Sequence, residues 1–157
     1  MRIKSLHPDR VRAWLARAEA WCRARGSNLT PLRREVLELV IARGRPVRAY
    51  ELLDALRARG RAGSPPTVYR ALEFLEAEGL VHRLSARKAW LACPEPGHDH
   101  AGVVLSCRHC GRALEVDDAS LVEPLLARLD AYGFEPEAGL LEVPGTCDWC
   151  RQERDHG

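Results

Sequence analysis

Lysine is almost missing from this chain. Only Lys4 and Lys88 interrupt the arginines among its 24 basic residues, a bias that partly reflects codon usage, so not every arginine is functional. Also missing is any run approaching the ~20 consecutive apolar residues of a transmembrane helix, which excludes a helical membrane protein. The opening Met1-Arg2-Ile3-Lys4-Ser5 lacks the apolar stretch and cleavage site of a secretory signal, so a cytoplasmic protein is expected. No internal repeat or low-complexity tract occurs, which sets aside solenoid and array architectures. Two catalytic zinc signatures are absent as well: there is no His-Glu-x-x-His, and no His-x-Glu paired with Pro-Cys-x-x-Cys. With no evident general base either, neither an enzyme nor a small-molecule substrate is expected.

What is present is polarised. At 157 residues the chain is sized for one domain or two small ones, and its net charge is only +2. Residues 1–92 carry 19 Lys and Arg against 9 Asp and Glu, a net +10; residues 93–157 carry 5 against 13, a net −8. Such asymmetry points to a basic module facing a polyanion, followed by an acidic module with another task.

The acidic half contains two Cys-x-x-Cys knuckles, Cys107-Arg108-His109-Cys110 and Cys147-Asp148-Trp149-Cys150. Each brings two sulfurs to within about 2.3 Å of one metal from a single tight turn, and two such turns complete a tetrahedral zinc shell. A closed Cys₄ shell leaves no open coordination position, so it stabilises a fold and does no chemistry. The 36 residues between the knuckles exceed the spacing of compact zinc ribbons, so a whole structural unit must fold inside the loop that the metal closes. Disulfides would suit an exported protein better.

Apolar periodicity and punctuation place the elements. Val11, Trp14, Leu15, Ala18 and Cys22 form a helical stripe ended by Gly26. Thr30-Pro31 opens a second helix as N-cap and N1, running to Gly44 over Val36, Leu37, Val40 and Ile41. A third helix spans about Arg48 to Arg59 over Leu52, Leu53 and Leu56. Ser64-Pro65-Pro66-Thr67 opens a fourth over Val68, Leu72 and Leu75, with Gly79 at its C-terminal end. Leu80–Leu84 and Lys88–Ala92 flank Ser85-Ala86-Arg87 as a β-hairpin with a basic turn. Short helices followed by a hairpin describe a winged helix-turn-helix, whose last helix enters the DNA major groove. Pro94-Glu95-Pro96-Gly97 reads as a hinge. Beyond it, strands at Val103–Ser106 and Arg112–Val116, a helix at Leu121–Tyr132 with Leu121, Leu125, Leu126 and Leu129 in phase, and a strand at Leu140–Val143 make a β-β-α-β unit. That unit is too small to bury a large core, so zinc and dimerisation are expected supplements. Asp155-His156-Gly157 reads as a frayed end.

Thr67, Tyr69, Arg70 and Glu73 lie outside the buried stripe of the fourth helix. Arg70 is best built to read sequence, because a guanidinium can bond guanine O6 and N7 together. Arg33, Arg34, Arg48, Arg83, Arg87 and Lys88 are candidates for phosphate contacts. A second set of metal-type ligands, His82, Cys93, His98, His100 and Glu115, straddles the module boundary; a metal there would couple metal level to DNA geometry. Cys22, with no partner nearby in sequence, reads as a buried helix cysteine.

Ala49-Tyr50-Glu51-Leu52-Leu53, Pro65-Pro66-Thr67-Val68-Tyr69-Arg70-Ala71-Leu72, Gly79-Leu80-Val81-His82 and the two knuckles, the first followed by Gly111, resemble the ferric uptake regulator family. The resemblance covers about residues 12–152 and is nearest to the zinc uptake regulator branch. It implies a homodimeric bacterial repressor with an N-terminal winged helix and a C-terminal dimerisation domain. It implies a structural zinc at Cys107, Cys110, Cys147 and Cys150, a sensing zinc at His82, Cys93, His100 and Glu115 with His98 as rival to His100, and base contacts from Tyr50 and Arg70. Iron-type members carry a further histidine near the second knuckle, where this chain has Val143-Pro144-Gly145. A sensing shell containing Cys93 is also softer than the N/O shells that Mn²⁺ prefers and suits Zn²⁺.

The expected fold is therefore α+β: a winged helix-turn-helix over residues 1–92, a hinge at 93–97 and a zinc-clasped β-β-α-β dimerisation domain at 98–157. The expected function is zinc-responsive repression of zinc-uptake genes, by a homodimer on a pseudo-palindromic double-stranded operator. Thr67, Tyr69 and Arg70, with Tyr50, form its DNA-binding set, and each chain holds one structural and one regulatory Zn²⁺. The alternatives are a regulator sensing iron or another divalent metal, and a hydrolase with zinc on His98, His100 and Glu115.

Overall fold

A computed structural model of the chain describes residues 8–93, 95–96, 102–116, 118–135 and 141–155. The chain divides into two compact units, Met1–His98 and Asp99–Gly157.

The first unit opens with α1 (Pro8–Ala24), which turns Trp14, Leu15, Ala18 and Cys22 inward. α2 (Pro31–Arg43) starts where expected: the Thr30 hydroxyl accepts the Arg33 amide at 3.4 Å, and Pro31 sits where its missing N–H costs nothing. Gly44, at φ 58°, ends the helix in a left-handed cap. β1 (Val47–Arg48) leads directly into α3 (Ala49–Ala58), where the Glu51 carboxylate accepts the Arg48 amide at 2.9 Å and closes the first turn. α4 (Pro65–Ala77) ends in a Schellman arrangement: Leu80 N–H bonds the Leu75 carbonyl at 2.8 Å and Gly79 N–H the Glu76 carbonyl at 2.9 Å. That geometry requires a positive φ at Gly79, here 69°, and delivers Leu80 into the core.

β2 (Val81–Leu84) and β3 (Ala89–Ala92) are joined by a 3₁₀ turn at Ser85–Arg87. The hairpin is as the sequence suggests, except that Lys88 is left-handed at φ 50° and belongs to the turn. β3 lies at the centre of a three-stranded antiparallel sheet in the order β1-β3-β2, with Trp90 opposite Val47 on one side and Arg83 on the other. The pairing of β1 is not legible from two residues of sequence. Val36, Leu37, Val40, Ile41, Leu52, Leu56, Val68, Leu72, Leu75, Leu80 and Trp90 make one continuous core. Burial of each such side chain is worth about 1.5–3 kcal/mol before entropy is counted. Trp21 adds a tie at the edge, its indole donating to the Glu78 carbonyl at 3.0 Å and so holding α1 to the end of α4.

In the second unit β4 (Val103–Cys107) pairs antiparallel with β5 (Ala113–Val116) and parallel with β6 (Leu141–Gly145), giving the order β5-β4-β6. α5 (Ala119–Asp130) lies between β5 and β6 in sequence, with the Asp118 carboxylate accepting the Ser120 amide at 2.9 Å. α6 (Asp148–Asp155) was not anticipated; it starts inside the second knuckle. The side chain of Asp155 and residues 156–157 lie outside the description. Val103, Val104, Ser106, Cys107, Ala113 and Val122 are the buried side chains among the described residues of this unit. The in-phase leucines of α5 are covered only in part: Leu126 and Leu129 are half-buried, whereas Leu121 is 53% and Leu125 44% exposed, and Val122 alone among the helix's described residues is buried.

Candidate metal centre and nucleic-acid interface

The parallel pairing of β4 with β6 brings the knuckles together. Cys107, last residue of β4, lies in register with Gly145, last residue of β6, and the Arg108 amide donates to the Gly145 carbonyl at 2.9 Å. Both chains then turn at the same end of the sheet. The first knuckle closes with Gly111 N–H bonding the Cys107 carbonyl and Cys107 N–H bonding the Arg112 carbonyl at 2.8 Å. The second runs into α6, where the Arg151 amide reaches the Cys147 carbonyl at 3.0 Å.

The four sulfurs of Cys107, Cys110, Cys147 and Cys150 lie within 4.8 Å of one another, and those of Cys110 and Cys147 are 3.7 Å apart. A tetrahedron with Zn–S of about 2.3 Å has edges of about 3.8 Å, so the cage has the size of a Zn²⁺ site. Its electrostatics point the same way. Hydrogen bonding from the Cys147 amide, 3.4 Å from the Cys107 sulfur, overcomes burial and, with help from the Cys110 and His109 amides, holds the Cys107 thiol down to about 5. Burial, hydrogen bonds among the sulfurs and repulsion from Cys107 push the Cys150 thiol up to about 12. Four thiols this close cannot all ionise unless a cation replaces their protons, which a divalent ion does on binding. Beside the cage, Arg112 lies over the Trp149 ring at 5.8 Å, and the Trp149 indole donates to Glu153 at 2.8 Å.

The other expected ligands fall in different places. His82, on β2, is buried. Cys93, just after β3, is buried too; its amide bonds the Leu80 carbonyl at 3.0 Å and its sulfur the Glu95 carbonyl at 2.9 Å. Glu115 is half-buried on β5, in register with Val104. His82 and Cys93 belong to the first unit and Glu115 to the second. His98 and His100, with Pro94 and Gly97 of the expected hinge, lie outside the described residues. Cys22 is buried as expected, and burial raises its thiol.

The fourth helix presents the expected face. Val68, Ala71, Leu72 and Leu75 point inward while Arg70 is exposed and Tyr69 is 45% exposed. Thr67 is half-buried, its hydroxyl paired with that of Ser64 at 2.8 Å. Tyr50, 59% exposed, stands in the first turn of α3. Next to it Glu51 binds Arg45 at 2.7 Å as well as the Arg48 amide. Partial burial would raise its carboxyl, but these two hydrogen bonds prevail and hold it below the usual carboxylate range. Arg48, Arg83 and Lys88 are exposed and Arg87 half-buried. Arg33 and Arg34 are less available than their sequence positions suggest. The Arg33 guanidinium stacks 3.7 Å from the Phe74 ring centroid and donates to the Asn28 carbonyl, and Arg34 is paired with Glu19. Sequence reasoning also missed Trp90, whose position between helix and wing only the packing reveals.

The ferric uptake regulator family model matches residues 24–143. This chain belongs to the ferric uptake regulator family. Among its relatives is the zinc uptake regulation protein of Escherichia coli (strain K12), 38% identical over 140 residues that span 87% of this chain and 80% of the relative. The crystal structure of holo XcZur is 46% identical with a TM-score of 0.76, covering 92% of this chain and 98% of that one. A zinc uptake regulator complexed with zinc and DNA is 32% identical with a TM-score of 0.82, covering 92% and 97%. The zinc branch of the family, expected from the motifs, is thus where the similarity lies.

Proposed function

We propose that this chain is a zinc-responsive transcriptional repressor that binds operator DNA as a homodimer and shuts off zinc-uptake genes. The likeness over 92% of the chain to a regulator complexed with zinc and DNA carries this reading. This chain's own exposed Tyr69 and Arg70, on a helix packed as a recognition helix, support it. Arg70 reads a base edge, Tyr50, Thr67 and Tyr69 flank it, and Arg48, Arg83, Arg87 and Lys88 contact phosphates. A two-fold dimer presents two such helices, so the operator is a pseudo-palindrome.

Residues 1–92 form the DNA-binding domain and residues 98–157 the dimerisation domain, with a hinge between. Each chain takes two zinc ions. Cys107, Cys110, Cys147 and Cys150 hold the structural ion, which supplies folding energy to a unit poor in buried apolar surface. His82, Cys93, His100 and Glu115 hold the sensing ion. Cys93 gives that set the softness that favours zinc over manganese. A regulator needs reduced thiols and access to DNA, so the protein works in the cytoplasm; it is not an enzyme.

The test is operator binding by gel shift or anisotropy while free Zn²⁺, Fe²⁺ and Mn²⁺ are each titrated. Zinc should raise operator affinity at least tenfold, about 1.4 kcal/mol of coupling. A response to Fe²⁺ or Mn²⁺ with none to Zn²⁺ would overturn the zinc assignment, and binding indifferent to every metal would overturn regulation by metal.

A further inference from the structure

Trp90 sits at the centre of the wing sheet and is 3% exposed, so by burial alone it is a core residue. Two of its contacts face outward. Its ring meets that of Tyr69 edge to face, with centroids 5.7 Å apart and planes at 72°. Its cross-strand neighbour Arg83 lays a guanidinium 5.8 Å from the same ring. Tyr69 directly precedes Arg70 on the exposed side of α4, and Arg83 is exposed on β2. One buried side chain therefore touches both a residue of the recognition helix and a cation of the wing.

A tyrosine ring on a helix surface is free to choose among rotamers; one seated against a fixed aromatic edge is not. An indole in the middle strand, packed between Val47 and Arg83 in register, cannot move without moving the sheet. The geometry points to Trp90 as a positioning residue for sequence reading, acting through Tyr69 and not by touching DNA. The inference rests on the DNA-binding reading above. It separates two contributions: on that reading Tyr69 flanks the base-reading Arg70, so its orientation affects operator and random DNA differently, whereas Arg83 contacts phosphate and affects both alike.

The experiment measures affinities of the zinc-loaded full-length dimer for operator and random DNA, in Trp90→Leu, Trp90→Phe, Tyr69→Leu and the double variant Trp90→Leu/Tyr69→Leu. Thermal melts and zinc content monitor the fold. Aromatic pairs of this kind are worth enough to lower the operator-to-random ratio about threefold to tenfold in Trp90→Leu. Trp90→Phe, which keeps a ring edge toward Tyr69, should restore most of the ratio. In the Tyr69→Leu background, Trp90→Leu should leave the ratio unchanged, because the positioned ring is gone. If Trp90→Leu does not fold, Trp90→Met takes its place, since a flexible thioether fills irregular space. A Trp90 variant that weakens both DNAs equally, or lowers the ratio as much without Tyr69 as with it, would overturn the inference while leaving the DNA reading intact. Wild-type protein that fails to discriminate operator from random DNA would instead overturn the DNA reading, and this inference with it.

Discussion

Cys110 and Cys147 stand 37 positions apart in the chain, and their sulfurs lie 3.7 Å apart in the fold. Only the parallel register of β4 with β6, Cys107 against Gly145, makes that possible. The cage and the small sheet are therefore mutually dependent: the strands align the knuckles, and an ion in the cage would fasten the strands.

Cys147→Ser should uncouple them. Serine keeps the backbone amide that bonds the Cys107 sulfur, so the substitution removes one thiolate corner of the cage and leaves that hydrogen bond in place. The expected outcome is loss of one zinc per chain together with the dimer, read by metal analysis and sedimentation. A Cys147→Ser protein that stays dimeric with full helical content would refute a structural role.

Arg70→Ala should cost about 1–3 kcal/mol on the operator and flatten discrimination against random DNA. The control is Lys88→Asn rather than alanine, because Lys88 holds φ 50°, a region that asparagine tolerates. That variant should weaken operator and random DNA alike. Equal losses on both DNAs for Arg70→Ala would reduce it to an electrostatic contact.

Glu51 predicts a pH dependence. Its carboxyl is lowered in the folded state, so the stability it contributes is fully present above the unfolded value, about 4.3, and disappears as pH falls through the lower folded value. Arg45 is 48% exposed, so the pair is worth about 0.2–1 kcal/mol. Urea melts of wild type and Glu51→Gln should differ by that amount at pH 7 and converge toward pH 3. A gap that persists in acid would show that the effect is packing and not charge.

Cys93→Ser should remain a folded dimer that retains the Cys₄ zinc yet loses zinc-dependent operator binding. His100→Ala should resemble it, and His98→Ala should have the smaller effect. Operator titration against free Zn²⁺ checks all three beside wild type; a normal zinc response from Cys93→Ser would move the sensing site elsewhere.

Much of this protein was legible before folding. Thr30 and Pro31 at one end of α2 and Gly44 at the other act within a single turn, so the helix ends were readable directly. The same holds for the prolines opening α4 and the turn at Ser85–Arg87. The cysteine spacing identified the metal-type ligands, because a Cys-x-x-Cys turn is local chemistry. What sequence alone did not decide is everything that depends on which segments meet. The two-residue β1 becomes a strand only because β3 lies beside it. Arg33 is half-buried against Phe74, and Arg34, though exposed, is paired with Glu19, because the fold brings those partners to them. The periodicity of α5 showed an apolar face, but which of its leucines are covered depends on packing: Leu126 and Leu129 are half-buried while Leu121 and Leu125 stay exposed. Trp90 reads as one more apolar residue of a strand until Tyr69 is packed on it. Backbone punctuation acts over one turn, whereas side-chain partnership depends on register and packing between distant segments, and only the tertiary structure determines those.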